Sequence, residues 1–271
     1  MTAGRFSAGR KLKPGRKLKV ILAAVSALVI QRCVSVVTTI DDDNPLAQAA
    51  RHYMDEGFVS GVSVHHESSA THRRWLQEFD AFLLGELGPN PTDTTEPVRR
   101  SGAQQEKEGW TQTWASERHW DTPLFWEMGT DPGVLDVAEA LLGGPDLLLF
   151  STFIFCKFGK GTPVPVHQDV VYWDMEPPEA VSIWYAFDKM TVGNGPIWVE
   201  NRTHITAATN PETTRPTEPP EHQKHYISSL QPGEIFANHG LLIHGSAANT
   251  QEGVRRCGIS LRYTRTSTRH K

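Results

Sequence analysis

The sequence predicts an α+β fold: N-terminal helices packed outside an antiparallel double sheet of jelly-roll type, an architecture that cupins also use. Apolar residues recur at helical spacing through the first half of the chain, bounded by Asn, Asp, Pro and Gly. After Gly144 the pattern changes to short runs rich in β-branched and aromatic residues, separated by Gly, Pro and Asn. The 271 residues, 38% hydrophobic and 21% charged, suit one large globular domain or two small ones.

The first helix is signalled by Asn44 and Pro45 as cap and first-turn residue, with Leu46, Ala49, Ala50 and Tyr53 at helical spacing up to Gly57. ATHRRWLQEFDAFLLGELG repeats the pattern with Leu76, Phe79, Leu83 and Leu87 on one face. DPGVLDVAEALLGG adds an Asp131 cap, Pro132 and a Gly143 stop, so three helices are expected before the middle of the chain. The strand candidates are LLLFSTFIFCKF, TPVPVHQD, VSIWYAFD, GPIWVE, EIFAN with LLIH, and RRCGISLRYT. Residues 205–222 are too rich in Pro, Thr and Glu to pack, and read as a disordered loop or a lid.

Residues 1–43 read as a basic leader and 44–271 as a single domain. The first 40 residues hold eight Lys/Arg and no Asp/Glu, which leaves the rest with 19 basic and 31 acidic side chains. An acidic body argues against nucleic acid as the main substrate. The apolar run Val20 to Ile30 is too short to span a bilayer, so no firm membrane association is expected. The leader fits an organelle transit peptide, a secretory signal or a disordered extension. Cys33, Cys156 and Cys257 form no CxxC pair; Cys156 and Cys257 read as buried small hydrophobes in a domain built for a reducing, cytoplasmic compartment. Lys157 and Lys160 read as solvated, and the three Trp of residues 109–120 as core packing or a substrate wall.

The chemistry is concentrated in VHQDVVYW. On a strand, residues i and i+2 share a face, so His167 and Asp169 converge on one point as two metal ligands would. His244, at the end of the apolar run LLIH, offers a third; His239, in an NHG turn, is assigned a turn or supporting role. Two histidines and one carboxylate on one face of a metal form the facial triad of non-heme Fe(II) oxygenases, with open positions for cosubstrate and oxygen.

The blocks HQDVVYW, SIWYAFDKMTVGNGPIWV and LLIHGSAANTQEGVR, in this order, resemble the phytanoyl-CoA dioxygenase family of Fe(II)- and 2-oxoglutarate-dependent oxygenases over residues 45–265. The resemblance implies a double-stranded β-helix core, Fe(II) held by His167, Asp169 and His244, and 2-oxoglutarate and O2 as cosubstrates. It implies that Arg255, eleven residues after His244, grips the distal carboxylate of 2-oxoglutarate, with Trp184 and Ser246 beside it. Arg256 points the other way on a strand, so register decides between the two, and the interval favours Arg255. Phe153, Tyr172 and Trp173, with Trp184, are expected to form a dry pocket wall for a small-molecule substrate. Halogenating relatives replace the carboxylate ligand with a small residue, so Asp169 favours hydroxylation, with succinate and CO2 as coproducts. Desaturation, epimerisation or cyclisation would use the same ligands, and a non-catalytic binding module is the reading from another class. ENRTH, residues 200–204, departs from the family's usual turn.

Overall fold

The computed structural model describes residues 44–84, 99–101, 112–206 and 216–270. The leader, Trp110 and the centre of the 205–222 loop lie outside the described residues. In chain order the elements are α1 (Pro45–Glu56), β1 (Phe58–Ser63), α2 (Ala70–Leu84), β2 (Arg99–Ser101), β3 (Gln112–Ser116), α3 (Pro123–Gly129), α4 (Pro132–Leu142), β4 (Leu147–Lys157) and β5 (Val164–His167). They continue with β6 (Met175–Glu176), β7 (Ala180–Ala186), β8 (Met190–Thr191), β9 (Ile197–Val199), α5 (Thr203–Thr206), β10 (His225–Tyr226), β11 (Ser229–Leu230), β12 (Glu234–His239), β13 (His244–Ser246), β14 (Arg256–Arg265) and β15 (Arg269–His270).

The caps act as their chemistry requires. Asn44 Oδ1 accepts the Leu46 N–H at 2.9 Å, and Gly57 closes α1 at φ 90°, a conformation that costs glycine least. Asp131 Oδ1 accepts the N–H groups of Gly133 and Val134 at the start of α4. The first half is less purely helical than expected: α3 is an additional helix, and β1, β2 and β3 already contribute strands.

Seven strands form one antiparallel sheet in the order β1-β12-β7-β14-β4-β3-β2, and four form a second in the order β10-β9-β13-β5. Side-chain alternation on the larger sheet decides everything that follows. Val181, Ile183 and Tyr185 of β7, Ile235 and Ala237 of β12, and Cys257, Ile259, Leu261 and Tyr263 of β14 bury against the helix layer, where Tyr53, Trp75, Phe79, Phe125 and Val137 meet them. The alternate residues Trp184, Phe236, Ser260 and Arg262 line a cavity of about 1470 Å³, which the smaller sheet borders through Val164, His167, Ile197 and His244. Between the sheets Phe58, Trp184, Ile197, Val199, Phe236 and Leu242 close a smaller apolar core.

The cysteines correct an expectation. Cys156 and Cys257 are fully buried, but they face each other directly across β4 and β14 and are joined by a disulfide, Cα to Cα 4.1 Å. The inference of a reducing compartment rested on free thiols and loses that support. No helix among the described residues is long and apolar enough to cross a membrane.

Candidate metal centre and cavity

His167 is the last residue of β5 and lies opposite His244 of β13 in the strand register. The strand expected through Asp169 ends two residues early: Gln168 keeps extended dihedrals, and Asp169 opens a 3₁₀ turn, Asp169–Tyr172. The two ligands therefore flank an extended residue at a strand end. Gln168 anchors the turn by donating its side-chain N–H to the Leu241 carbonyl, and the Val170 N–H donates to Gly240 O at 3.1 Å.

The donor atoms of His167, Asp169 and His244 lie within 4.8 Å of one another and could hold a metal ion. His167 Nε2 is 3.7 Å from Asp169 Oδ1, and His244 Nε2 is 4.0 Å from Asp169 Oδ2. Each Nδ1 sits 2.9 Å from a backbone carbonyl, Pro165 O for His167 and Leu242 O for His244. A carbonyl only accepts, so each Nδ1 carries the proton and each Nε2 keeps a lone pair aimed at the common point, which is how metal-binding imidazoles are oriented. Asp169 Oδ2 accepts from Ser182 Oγ at 2.6 Å and from Asn238 Nδ2 at 3.4 Å. Burial alone would raise the Asp169 carboxyl, but the Arg262 guanidinium, both imidazoles and the Ser182 hydroxyl outweigh it and hold the group well below the usual carboxylate range. Burial, with His167 beside it, pushes His244 down to about 4, so its imidazole is neutral at physiological pH. His239 stands apart from the triad, its Nδ1 accepting the Leu241 N–H at 3.1 Å.

The arginine pair is placed opposite to expectation. Arg255 points away from the cavity and is tied down by carboxylates: Nε and Nη2 donate to Asp188 at 2.9 and 2.8 Å, and Nη1 donates to Asp80 at 2.6 Å. Arg256 faces the cavity, 2% exposed, with its guanidinium 4.9 Å from the Trp184 ring centroid. The sequence held the signal. Cys257, Ile259, Leu261 and Tyr263 are the apolar set of β14, and counting back from them puts Arg256, Ser260 and Arg262 on the other face. The interval from His244 misled because it runs through a loop, where residues do not keep register. Gly258, two residues after Arg256 on the same face, leaves the space Trp184 needs, since a Cβ there would come 2.1 Å from the indole.

Lys157, expected in solvent, is fully buried beside Arg256 in the strand register. Its Nζ donates to Ser246 Oγ at 2.7 Å and to the Ala247 carbonyl. Burial, with the neighbouring Arg256, pushes the lysine down to about 6. Arg256 is likewise pushed down by burial, to about 10, and stays cationic at neutral pH. Among the described residues neither forms an ion pair with a carboxylate, and the Arg256 hydrogen bonds go to the Gly195 carbonyl. The cavity thus has a cationic end, with Trp184 and Ser246 beside it, that suits a carboxylate ligand.

Phe153 and Trp173 line the other end, stacked against Arg262 at 5.4 and 5.1 Å. Tyr172 also borders the cavity but is 71% exposed, so it marks the mouth rather than a dry wall. The ENRTH segment braces the metal side: Thr203 Oγ1 accepts the Ile243 N–H at 2.9 Å, and the Glu200 N–H donates to Ile243 O at 2.9 Å.

The phytanoyl-CoA dioxygenase (PhyH) family profile matches residues 68–257. A probable phytanoyl-CoA dioxygenase of Caenorhabditis elegans is 32% identical over 161 residues, 53% of this chain and 51% of that protein. An L-proline trans-4-hydroxylase of Streptomyces griseoviridis is 29% identical over 163 residues, 49% of this chain and 60% of that protein. The chain thus spans 51–60% of these relatives' own length. Among solved structures, the epimerase SnoN in complex with Fe3+, alpha ketoglutarate and nogalamycin RO superposes with a TM-score of 0.67 at 20% identity, covering 83% of this chain and 86% of that one. EctD from S. alaskensis in its apoform gives 0.65 at 21%, covering 86% and 81%. At such identities the likeness establishes the fold, which is that of the 2-oxoglutarate oxygenases. With the family match running from α2 into β14, the chain belongs to the phytanoyl-CoA dioxygenase family of Fe(II)- and 2-oxoglutarate-dependent oxygenases.

Proposed function

We propose that the protein is an Fe(II)- and 2-oxoglutarate-dependent dioxygenase that hydroxylates a small organic molecule, with succinate and CO2 as coproducts. The observation that carries this reading is the pairing, in one cavity, of the His167–Asp169–His244 triad with a buried cationic end that, among the described residues, forms no ion pair with a carboxylate. When bound, iron and 2-oxoglutarate supply the oxidising chemistry that no side chain can. The chain supplies position. His167, Asp169 and His244 hold the metal on one face; Arg256, with Lys157 and Ser246 behind it, grips the far carboxylate of the cosubstrate; and Trp184 fixes the guanidinium plane. Phe153 and Trp173 keep water from the reacting side. The retained Asp169 supports oxygen transfer over halogenation. The relatives include a hydroxylase and an epimerase, so the same centre also admits an oxidative rearrangement.

The test is an anaerobic titration of the Fe(II)-loaded protein with 2-oxoglutarate, watching for the visible charge-transfer band of the chelate. The band is expected in the wild type and lost in His167→Ala. A wild type that binds iron but shows no band defeats the oxygenase reading in favour of a binding module.

A further inference from the structure

Strand β14 carries two inward-facing arginines, and the cosubstrate accounts for one. Arg256 and Arg262 are six residues apart on the same face, so their Cα atoms lie about 20 Å apart along the strand. Arg262 stands beside the triad, its Nη2 3.6 Å from Asp169 Oδ1. Its Nη1 donates to Ser151 Oγ at 3.3 Å, while Nε is buried with no hydrogen-bond partner among the described residues. The phenyl ring of Phe153 and the indole of Trp173 flank the guanidinium, which fixes its plane. Among the described residues its one ion-pair partner is Asp169, which, on the reading above, is committed to a dication. Once the metal is bound, Arg262 is a cation facing a cation, and an anion supplied by the substrate would offset that repulsion.

Glu117 stands on the other side of the same serine. Ser151 Oγ donates to Glu117 Oε1 at 2.7 Å, and the Thr152 N–H donates to Oε2 at 3.2 Å. Glu117 lines the cavity and is held in a left-handed conformation, φ 54° and ψ 29°, which is strained for a residue with a side chain and is found where function needs a particular direction. Burial raises its carboxyl above the usual range against the Ser151 and Thr152 hydrogen bonds and the Arg262 charge, and His119 Nδ1 lies 3.7 Å from Oε2. A guanidinium and a carboxylate therefore flank one hydroxyl oxygen at the substrate end of the cavity. The two charges of an α-amino acid lie roughly 3 Å apart. Arg262 Nη1 and Glu117 Oε1, bridged by Ser151 Oγ at 3.3 and 2.7 Å, stand close enough for one such molecule to meet both, with the signs reversed.

We propose that the oxidised substrate is an α-amino or α-imino acid, its carboxylate held by Arg262 and its nitrogen by Glu117, with its side chain lying along Phe153 and Trp173 toward the metal. This rests on the oxygenase reading and deepens it.

The test uses the full chain, loaded anaerobically with Fe(II) and 2-oxoglutarate and titrated calorimetrically with each of the twenty proteinogenic L-amino acids. The primary amide and the N-acetyl derivative of each binder follow. At least one amino acid is expected to bind. Its amide and its N-acetyl form should each bind on the order of 10- to 100-fold more weakly, the value of one charge-assisted contact. Arg262→Gln should bring the acid down to the level of the amide and leave the amide unchanged. Glu117→Gln should do the same for the nitrogen, and Arg262→Lys should fall between. Thermal melts of the variants check folding, and the chelate band reports the oxygenase reading separately, because calorimetry reads amino-acid binding whether or not the band forms. The proposal is overturned if no amino acid binds, or if Arg262→Gln weakens acid and amide alike. It is overturned equally if that variant changes only the affinity for iron or for 2-oxoglutarate, which would make Arg262 a positioning residue for the cofactors.

Discussion

Replacing the two neighbouring arginines with glutamine, one at a time, separates their duties. Arg256 is only 2% exposed, is stacked on Trp184 and has no described carboxylate partner, so its free donors are available to an incoming carboxylate. Each hydrogen bond to a charged group contributes about 1.5–3 kcal/mol. Glutamine keeps at most one of two, which makes the loss about 3 kcal/mol, or roughly 150-fold in Kd for 2-oxoglutarate. Arg255 works against Asp188 and Asp80, whose side chains are 19% and 45% exposed, and water screens such pairs. Arg255→Gln should therefore cost about 1 kcal/mol of stability and leave the cosubstrate Kd unchanged. Anaerobic titration of the chelate band reads the first quantity, and urea unfolding reads the second. A raised Kd in Arg255→Gln together with a wild-type Kd in Arg256→Gln would refute the register argument.

Ser182→Ala removes the 2.6 Å hydrogen bond that orients Asp169 and should weaken Fe(II) binding about 10- to 100-fold; unchanged affinity in a metal titration would show that the orientation comes from elsewhere. The disulfide closes a separation of 101 residues, for which chain entropy gives about 4.7 kcal/mol, so dithiothreitol should lower the urea midpoint of the wild type and leave a Cys156→Ser/Cys257→Ser double variant unmoved. His239 is pushed down from 6.5 to about 4 by burial, with His204 adding to it. The unfolded chain therefore binds more protons between those values, and stability should be full above pH 6.5 and fall as the pH drops toward 4. His239→Gln should flatten that part of the profile, and an unchanged slope in urea midpoints would locate the acid sensitivity in other groups.

The parts of this structure that could be read in the sequence obey a period. Asn44, Pro45 and Gly57 bound a helix, as do Asp131, Pro132 and Gly143, because capping is local chemistry. The triad was legible because His167 and Asp169 are neighbours in the chain and His244 ends an apolar strand. What failed depends on partners distant in sequence. Lys157 lies at the end of a strand just before Gly159 and Lys160, a setting that reads as solvent, yet tertiary packing encloses it with Ser246. Cys156 and Cys257 were recognised as buried, but their bond requires β4 and β14 to pair in one register, which no local pattern announces. Arg262 lies in no local motif, although the parity of β14 that places Arg256 on the cavity face places it there too.

The bridge from Glu200 to Thr206 ties the metal side to the outer layer of helices. Its Arg202 N–H donates to Glu56 O, and His204 Nε2 faces Met54 O, so the last turn of α1 is fastened to the segment whose Thr203 hydroxyl holds the Ile243 amide next to His244. Fraying of α1 and release of a metal ligand are thereby one cooperative opening. The exchange rate of the Ile243 amide hydrogen would report that opening, and it should slow when the metal is bound.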